Sequence, residues 1–392
     1  MRSGAAALGR LAPGGSPIRL RALRRVFAGG DAERDLRGGL SDRLGGAHVT
    51  LHASGREAMR VAFRALAERS GRREVALPAY VCFSVPASAV AAGLSVRLVD
   101  VDESGRLDAG SLARIPLENV AAIVVANLFG LAEPIRDVRA IARSAGAAVI
   151  DDAAQAFGAR SAEGSAGARG EIGVLSFGRA KPLSALGGGA LAWTSGPPTA
   201  VDPAPTGEPL GAAVRALAYD AARWPPLLGL LTRIPALGIG ETVYDPDFAR
   251  GAIPGPALCL ARALLPELDA ECRERTAVAL ELAEALRSDT SYRPLVAASG
   301  AIAVHPRLGL VAPSAEAREA ALTALQPLGA SRLYPTSLAR IDALRPHLAA
   351  EPDCPVADGL AARLFTLPTH AAVRPQIGAI AQRLREAETD RA

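Results

Sequence analysis

Short apolar runs alternate with helical patterns along most of this chain. Residues 121–126 form a continuous apolar run, as in a buried parallel strand. After Ser54, the apolar residues Met59, Phe63 and Leu66 recur at helical spacing and predict a helix to about Glu68. Strands alternating with helices predict a mostly parallel sheet covered by helices on both faces. Further strands are predicted at residues 49–52, 75–77, 96–99, 147–150, 174–177 and 190–193.

The pattern divides the chain into three parts. Residues 1–44, rich in glycine, arginine and proline, predict an N-terminal arm with a short helix over 20–27. Residues 45–250 carry the regular alternation and predict a large α/β domain. Residues 251–392 predict a smaller C-terminal α/β domain. Its predicted strands and helices include residues 301–305, 309–311, 315–325 and 375–386.

Composition and charge exclude several classes of function. Of the 392 residues, 49% are hydrophobic and 21% are charged, as in a soluble globular protein. The net charge is only +4 and no basic stripe carries interleaved aromatic residues, which argues against a nucleic-acid surface. Proline and arginine interrupt the most hydrophobic stretch, residues 224–240, so it is too short to span a bilayer.

The cysteines and the N-terminus bear on the compartment. The four cysteines have no CxxC spacing and the five histidines are isolated, so neither a disulfide framework nor a metal centre is expected. This usage fits a reducing compartment such as the cytoplasm. The arginine-rich residues 1–30 leave a targeting peptide conceivable, but they lack the apolar segment of a secretory signal.

Lys181 is the only lysine in the chain, whereas the other strongly basic residues are arginines. Arginine can supply a positive charge, but its guanidinium stays protonated and cannot act as a neutral amine. A lysine kept between an apolar segment and a glycine run is therefore a candidate for Schiff-base chemistry. The alternative is an ordinary surface lysine.

Three other features accompany this lysine. Ser54, with Glu57 three residues later, predicts a capped helix start, whose free amides can bind a phosphate. Asp152 follows the strand predicted at 147–150, and Ser176 lies near the end of the one predicted at 174–177, at the edge where α/β sheets bind ligands. Pyridoxal phosphate needs a lysine amine, a carboxylate for its ring nitrogen and donors for its phosphate. The alternative for Asp152 is a solvated turn.

Two motifs resemble those of the DegT/StrS sugar aminotransferases. They are residues 149–159, Val-Ile-Asp-Asp-Ala-Ala-Gln-Ala-Phe-Gly-Ala, and residues 176–181, Ser-Phe-Gly-Arg-Ala-Lys. The resemblance extends from about Pro13 to Leu384. It implies the type I fold of pyridoxal-phosphate enzymes, with a large domain built on a mostly parallel sheet and a smaller C-terminal α/β domain.

The resemblance also implies roles for individual residues. Lys181 would be the Schiff-base lysine, Asp152 the partner of the pyridine nitrogen, and Gln155 a contact of the ring. The phosphate would be held by the side chain of Ser176 and by the backbone amides of Gly55 and Arg56.

The chain departs from the family pattern at several positions. Arg56 stands where the family usually has threonine. The aromatic residue that stacks on the cofactor falls on Cys82, so the neighbouring Phe83 is an alternative for that contact. The expected Asn-Tyr-Arg segment from the partner subunit is not recognisable, and residues 242–245 occupy roughly its place.

Taken together, the resemblance implies an aminotransferase that moves an amino group, with glutamate as donor, to a keto sugar. The sugar would be nucleotide-linked and would serve polysaccharide or secondary-metabolite biosynthesis, and the enzyme would be a cytoplasmic homodimer. Arg56, Arg179 and Arg250 are candidates to bind the acceptor diphosphate, since a planar guanidinium matches phosphate oxygens. The competing hypothesis is a degenerate relative that acts as a cofactor-binding regulator or as a scaffold.

Overall fold

The computed structural model describes residues 10–194, 206–232, 243–287, 290–297 and 300–389. The strands of these described parts are β1 (His48–His52), β2 (Glu74–Pro78), β3 (Ser95–Val99), β4 (Val120–Ala126), β5 (Ala148–Asp152), β6 (Arg160–Ser161), β7 (Gly164–Ser165), β8 (Ile172–Ser176), β9 (Gly189–Trp193), β10 (Arg293–Leu295), β11 (Arg307–Val311) and β12 (Leu364–Pro368). The α-helices are α1 (Leu20–Val26), α2 (Ala32–Arg43), α3 (Gly55–Ser70), α4 (Ser84–Ala91), α5 (Ala109–Arg114), α6 (Arg136–Ala145), α7 (Pro209–Ala222), α8 (Pro225–Leu231), α9 (Gly255–Leu264), α10 (Leu268–Arg287), α11 (Ala315–Leu325), α12 (Pro355–Arg363) and α13 (Ile377–Thr389).

A seven-stranded sheet in the order β1-β9-β8-β5-β4-β2-β3 forms the centre of the fold. Strands β3, β2, β4, β5 and β8 are parallel, and β9 pairs antiparallel with both β8 and β1. The predicted mostly parallel sheet is therefore confirmed. Asp152 is in register with Ala126 of β4 and with Val174 of β8, so the carboxyl ends of these three strands lie side by side.

Local sequence explains the elements next to this edge. Every residue of β4 is buried, as its continuous apolar run predicts. Helix α3 begins after Ser54, whose hydroxyl accepts a hydrogen bond from the amide of Glu57 at 3.1 Å. The Glu57 carboxylate pairs with Arg60 at 2.7 Å, so only the serine half of the capping box is present. Helix α6 ends at Gly146, which has a φ of 64°.

A second, three-stranded antiparallel sheet, β10-β11-β12, lies in the C-terminal part of the chain. Its apolar side chains pack with those of α10, α11 and α13. The strand predicted at residues 301–305 is wrong: only Ile302 pairs there, in an isolated bridge to Arg160. The helix predicted at residues 375–386 corresponds to the end of a 3-10 turn, Ala371–Gln376, and most of α13. The domain boundary at residue 250 stays a prediction. Helix α9, which follows this boundary, packs with helices that precede it, namely α1, α2 and α7.

The described part of the N-terminal arm contacts both halves of the chain. Arg223 donates hydrogen bonds to the carbonyls of Gly14 and Gly15, and His370 bonds the carbonyl of Ala12 at 2.9 Å. Residues 1–9 lie outside the described residues. Residues 233–240 of the apolar stretch at 224–240 also lie outside them, and the structure describes its other residues: Trp224, α8 and Thr232. Among the described helices, none combines the length and hydropathy needed to cross a membrane.

Candidate active site

A cavity of about 240 Å³ lies at the carboxyl ends of β4, β5 and β8, against the start of α3. Parallel α/β sheets bind ligands at this edge. The structure brings seven of the eight residues predicted from sequence to its lining. They are Gly55, Arg56, Cys82, Asp152, Gln155, Ser176 and Lys181.

The two aspartates at the end of β5 have different surroundings, because successive residues of a strand point to opposite faces. Asp151 forms a fully buried ion pair with Arg169, with 2.8 Å between Oδ1 and the guanidinium nitrogen. Asn127 and the amide of Gly167 also donate to its carboxylate. Asp152 instead lines the cavity. Asp151 is therefore a structural residue, and Asp152 is available to a ligand.

Asp152 has an unusually high proton affinity for a carboxyl group. Burial raises the pKa of Asp152 from 3.8 to about 6, although the amide of Ala154 and the ammonium of Lys181 oppose the rise. Its side chain accepts a hydrogen bond from the Ala154 amide at 2.9 Å. A buried carboxylate of this kind is stabilised by a cationic N–H group placed beside it.

Lys181 reaches the cavity from the loop that follows β8. Ala180, just before it, has a φ of 59°, which is costly for a residue with a side chain. Such backbone strain is found where the surrounding structure holds a functional residue in place. The Lys181 ammonium acts electrostatically on Asp152, so the amine and the carboxylate share one site.

The start of α3 and the end of β8 form a cradle for an anion. The first amides of a helix have no partner within it, and the helix dipole favours a negative charge there. A Cβ atom on Gly55 would lie 2.7 Å from Ser176 Cβ and 2.9 Å from Ser176 Oγ. The backbone can therefore approach Ser176 only because residue 55 is glycine. These groups fit a phosphate.

The three candidate arginines differ in their position relative to the cavity. Arg56 lines the cavity, and its guanidinium carbon lies 5.2 Å from the centre of the Phe248 ring. Arg179 and Arg250 are exposed and lie outside the lining. Of the three, only Arg56 lines the cavity.

The structure places Cys82 and Phe83 differently. Cys82 lines the cavity, and its thiol lies 2.8 Å from the hydroxyl of Ser84. Phe83 is buried outside the lining, where it stacks on Tyr334 with 6.2 Å between ring centres. The structure therefore does not bring Phe83 to the cavity lining, because its ring packs against Tyr334.

Two further residues, one in the cavity lining and one behind it, were not among the predicted site residues. Asn127 lies at its wall, where its side chain links Asp151 to the backbone of Asp152. Tyr334 bonds Gln155 from a segment far along the chain. The distance of Tyr334 from the motifs along the sequence does not predict this contact, since only the tertiary fold brings Tyr334 and Gln155 together.

Comparison with known proteins gives the class of this fold. The chain has the type I fold of pyridoxal-phosphate-dependent aminotransferases. Among solved structures, Helicobacter pylori PseC, an aminotransferase involved in the biosynthesis of pseudoaminic acid, superposes with a TM-score of 0.75. The two are 15% identical, and the match covers 97% of this chain and 100% of the other. At this identity the likeness shows the fold alone.

Residues 21–199 match the model of the DegT/DnrJ/EryC1/StrS aminotransferase family, so the resemblance inferred from the motifs is confirmed over this part of the chain. UDP-N-acetyl-3-dehydro-alpha-D-glucosamine 3-aminotransferase of Acidithiobacillus ferrooxidans is 33% identical over 43% of this chain and 46% of its own length. The pleiotropic regulatory protein of Geobacillus stearothermophilus is 31% identical over 36% of this chain and 38% of its own length. The chain therefore spans less than half the length of either curated relative.

Proposed function

We propose that this protein is a pyridoxal-phosphate-dependent aminotransferase that moves an amino group from glutamate to a nucleotide-linked keto sugar. The observation that carries the proposal is that one and the same cavity holds the only lysine of the sequence, a buried carboxylate and an anion cradle. The A. ferrooxidans relative supports the acceptor class, because its name specifies a UDP-linked dehydro sugar. The pathway proposed is polysaccharide or secondary-metabolite biosynthesis.

The residues of the cavity fit this cofactor. Lys181 Nζ would attach it, Asp152 would pair with its ring nitrogen, and Ser176 with the first amides of α3 would hold its phosphate. When bound, pyridoxal phosphate supplies an electron sink for a carbanion. Gln155 and Cys82 would border the ring. The buried Asp152 carboxylate would keep the ring nitrogen protonated, since an anion favours a neighbouring N–H.

Lys181 has a second task in this proposal. The Lys181 amine would also take a proton from one atom of the substrate and return it to another, as a general base and then a general acid. Arg56 is placed to bind a phosphate of the acceptor by a pair of hydrogen bonds.

A panel of acceptors tests this assignment. With glutamate as donor, nucleotide-linked keto sugars should be aminated far better than a small 2-keto acid, and their binding should weaken as salt is raised. Arg56→Gln should raise KM for the nucleotide-linked acceptor, whereas the matched variant Arg179→Gln, at an exposed position, should leave it unchanged. Efficient amination of an ordinary keto acid, with none for the sugars, would refute the sugar assignment.

We also propose a cytoplasmic homodimer. Leu210, Val214 and Leu217 follow each other at helical spacing on α7 and are 72%, 58% and 58% exposed, and Trp224 nearby is 64% exposed. An apolar surface of this kind indicates a partner. Light scattering should give twice the chain mass, and a fully active monomer at assay concentration would contradict the dimer. The four free cysteines fit the cytoplasm, which fractionation of cells can test.

The second candidate is a cofactor-binding regulator without turnover. Two observations support this candidate. The G. stearothermophilus relative is named a pleiotropic regulatory protein, and Cys82 stands where the family has an aromatic residue. A visible absorption band from bound cofactor would exclude a scaffold without cofactor. Measurable transfer of the glutamate amino group would then exclude the regulator.

A further inference from the structure

Gln155 is held at the cavity wall by two hydrogen bonds from opposite sides. Its Oε1 accepts from the amide of Phe129 at 3.1 Å, and its Nε2 donates to the hydroxyl of Tyr334 at 2.6 Å. A backbone N–H can only donate, so the bond to Phe129 decides which end of the side-chain amide faces Tyr334. One hydrogen of Nε2 remains for a ligand in the cavity.

Both partners of Gln155 are held by strained backbone. Phe129 has a φ of 57°, and Leu333, directly before Tyr334, has a φ of 56°. Neither is glycine, so each conformation is unfavourable and is maintained by the surrounding structure. The two segments come from different parts of the fold. Phe129 follows β4, whereas Ser331, two residues before Leu333, pairs with Thr366 of β12.

Tyr80 lies next to Tyr334 and differs from it in the hydrogen bonding of its hydroxyl. The rings of Tyr334 and Tyr80 are in edge-to-face contact, with 5.5 Å between centres, and both side chains are buried. The hydroxyl of Tyr80 is buried without a hydrogen-bond partner, whereas that of Tyr334 bonds Gln155. Burial raises the pKa of Tyr334, and nearby Cys82 adds to the rise, so its hydroxyl keeps its proton.

We infer that Tyr334 is a positioning residue: its hydroxyl holds the Gln155 amide so that the remaining N–H faces the bound cofactor. This inference rests on the proposed function. It assigns the C-terminal part of the chain a role at the cofactor, because a shift of the segment that carries Tyr334 would turn or release Gln155. A residue that only packed its ring would not act on Gln155.

Tyr334→Phe and Tyr80→Phe form the matched test, since each removes one hydroxyl and keeps the ring. The measurements are the dissociation constant for pyridoxal phosphate, the pH titration of its visible absorption band, and kcat with KM. Tyr334→Phe should move the titration and lower kcat roughly tenfold, the order expected for one hydrogen bond near the reacting atoms. Tyr80→Phe should leave all of these at wild-type values.

The outcomes separate this inference from the proposed function. If the folded wild type binds no pyridoxal phosphate, the proposed function fails. If the wild type binds it and Tyr334→Phe behaves as Tyr80→Phe does, only the role of Tyr334 is overturned. Should Tyr334→Phe not fold, Gln155→Leu removes the same bond, together with the bond to the Phe129 amide and the N–H that faces the cofactor. That variant should show the same shift of the absorption band, and an unshifted band would overturn the inference.

Discussion

Replacing Lys181 by alanine or arginine should abolish transamination and covalent attachment of the cofactor. No other lysine exists in the chain to replace it. Arginine keeps the positive charge near Asp152, but its guanidinium does not lose a proton under usable conditions. Proton transfer by a positioned side chain contributes about 10²- to 10⁴-fold to a rate, so turnover should fall by at least this factor. Equal losses in the two variants would show that the amine, and not its charge, is required.

Borohydride reduction of the loaded protein, followed by peptide mapping, checks the attachment point. The label should be on Lys181. Arg179→Lys provides the control, because it places a second lysine at an exposed position outside the cavity lining. That lysine should remain unlabelled. A label at residue 179, or none on protein that holds the cofactor, would contradict the assignment of Lys181.

Asp152→Asn should lower turnover and at the same time stabilise the cofactor-free protein. The lost charge-assisted hydrogen bond is worth roughly 1.5–3 kcal/mol, which corresponds to at least about a tenfold loss of activity at roughly 1.4 kcal/mol per decade. Because burial raises the pKa of Asp152 to about 6 in the folded protein, the ionised carboxylate destabilises the fold. This cost is fully present above the folded pKa of about 6 and is lost progressively as pH falls from there to the ordinary value of 3.8. Asparagine removes it.

Thermal denaturation of the cofactor-free protein at pH 8 and pH 5 measures this effect. The asparagine variant should melt above the wild type at pH 8, and the difference should shrink at pH 5. Asp151→Asn is the control, because it leaves the buried guanidinium of Arg169 without its carboxylate partner. It should lose stability by about 3–5 kcal/mol. A gain in stability for both variants, or wild-type turnover in Asp152→Asn, would show that the roles of the two aspartates are misassigned.

The sequence by itself determined the elements that depend on local patterns. The apolar run at 121–126 became β4, and α11 has the bounds predicted for it. The start of α3 followed from Ser54, because an N-cap needs only a hydroxyl and the amide three residues later. Residue types at a known spacing also predicted Lys181 and Asp152 as members of one site, to which the structure brings them.

Only the tertiary structure separated residues that look equivalent in the sequence. Asp151 and Asp152 differ because β5 lies between β4 and β8 and turns one aspartate towards Arg169 and the other into the cavity. Of the candidate arginines, only Arg56 lines the cavity. Tyr334 could not be predicted, since its bond to Gln155 joins segments that no local pattern relates. Spatial neighbours of this kind are set by strand order and long-range packing, which short-range periodicity does not encode.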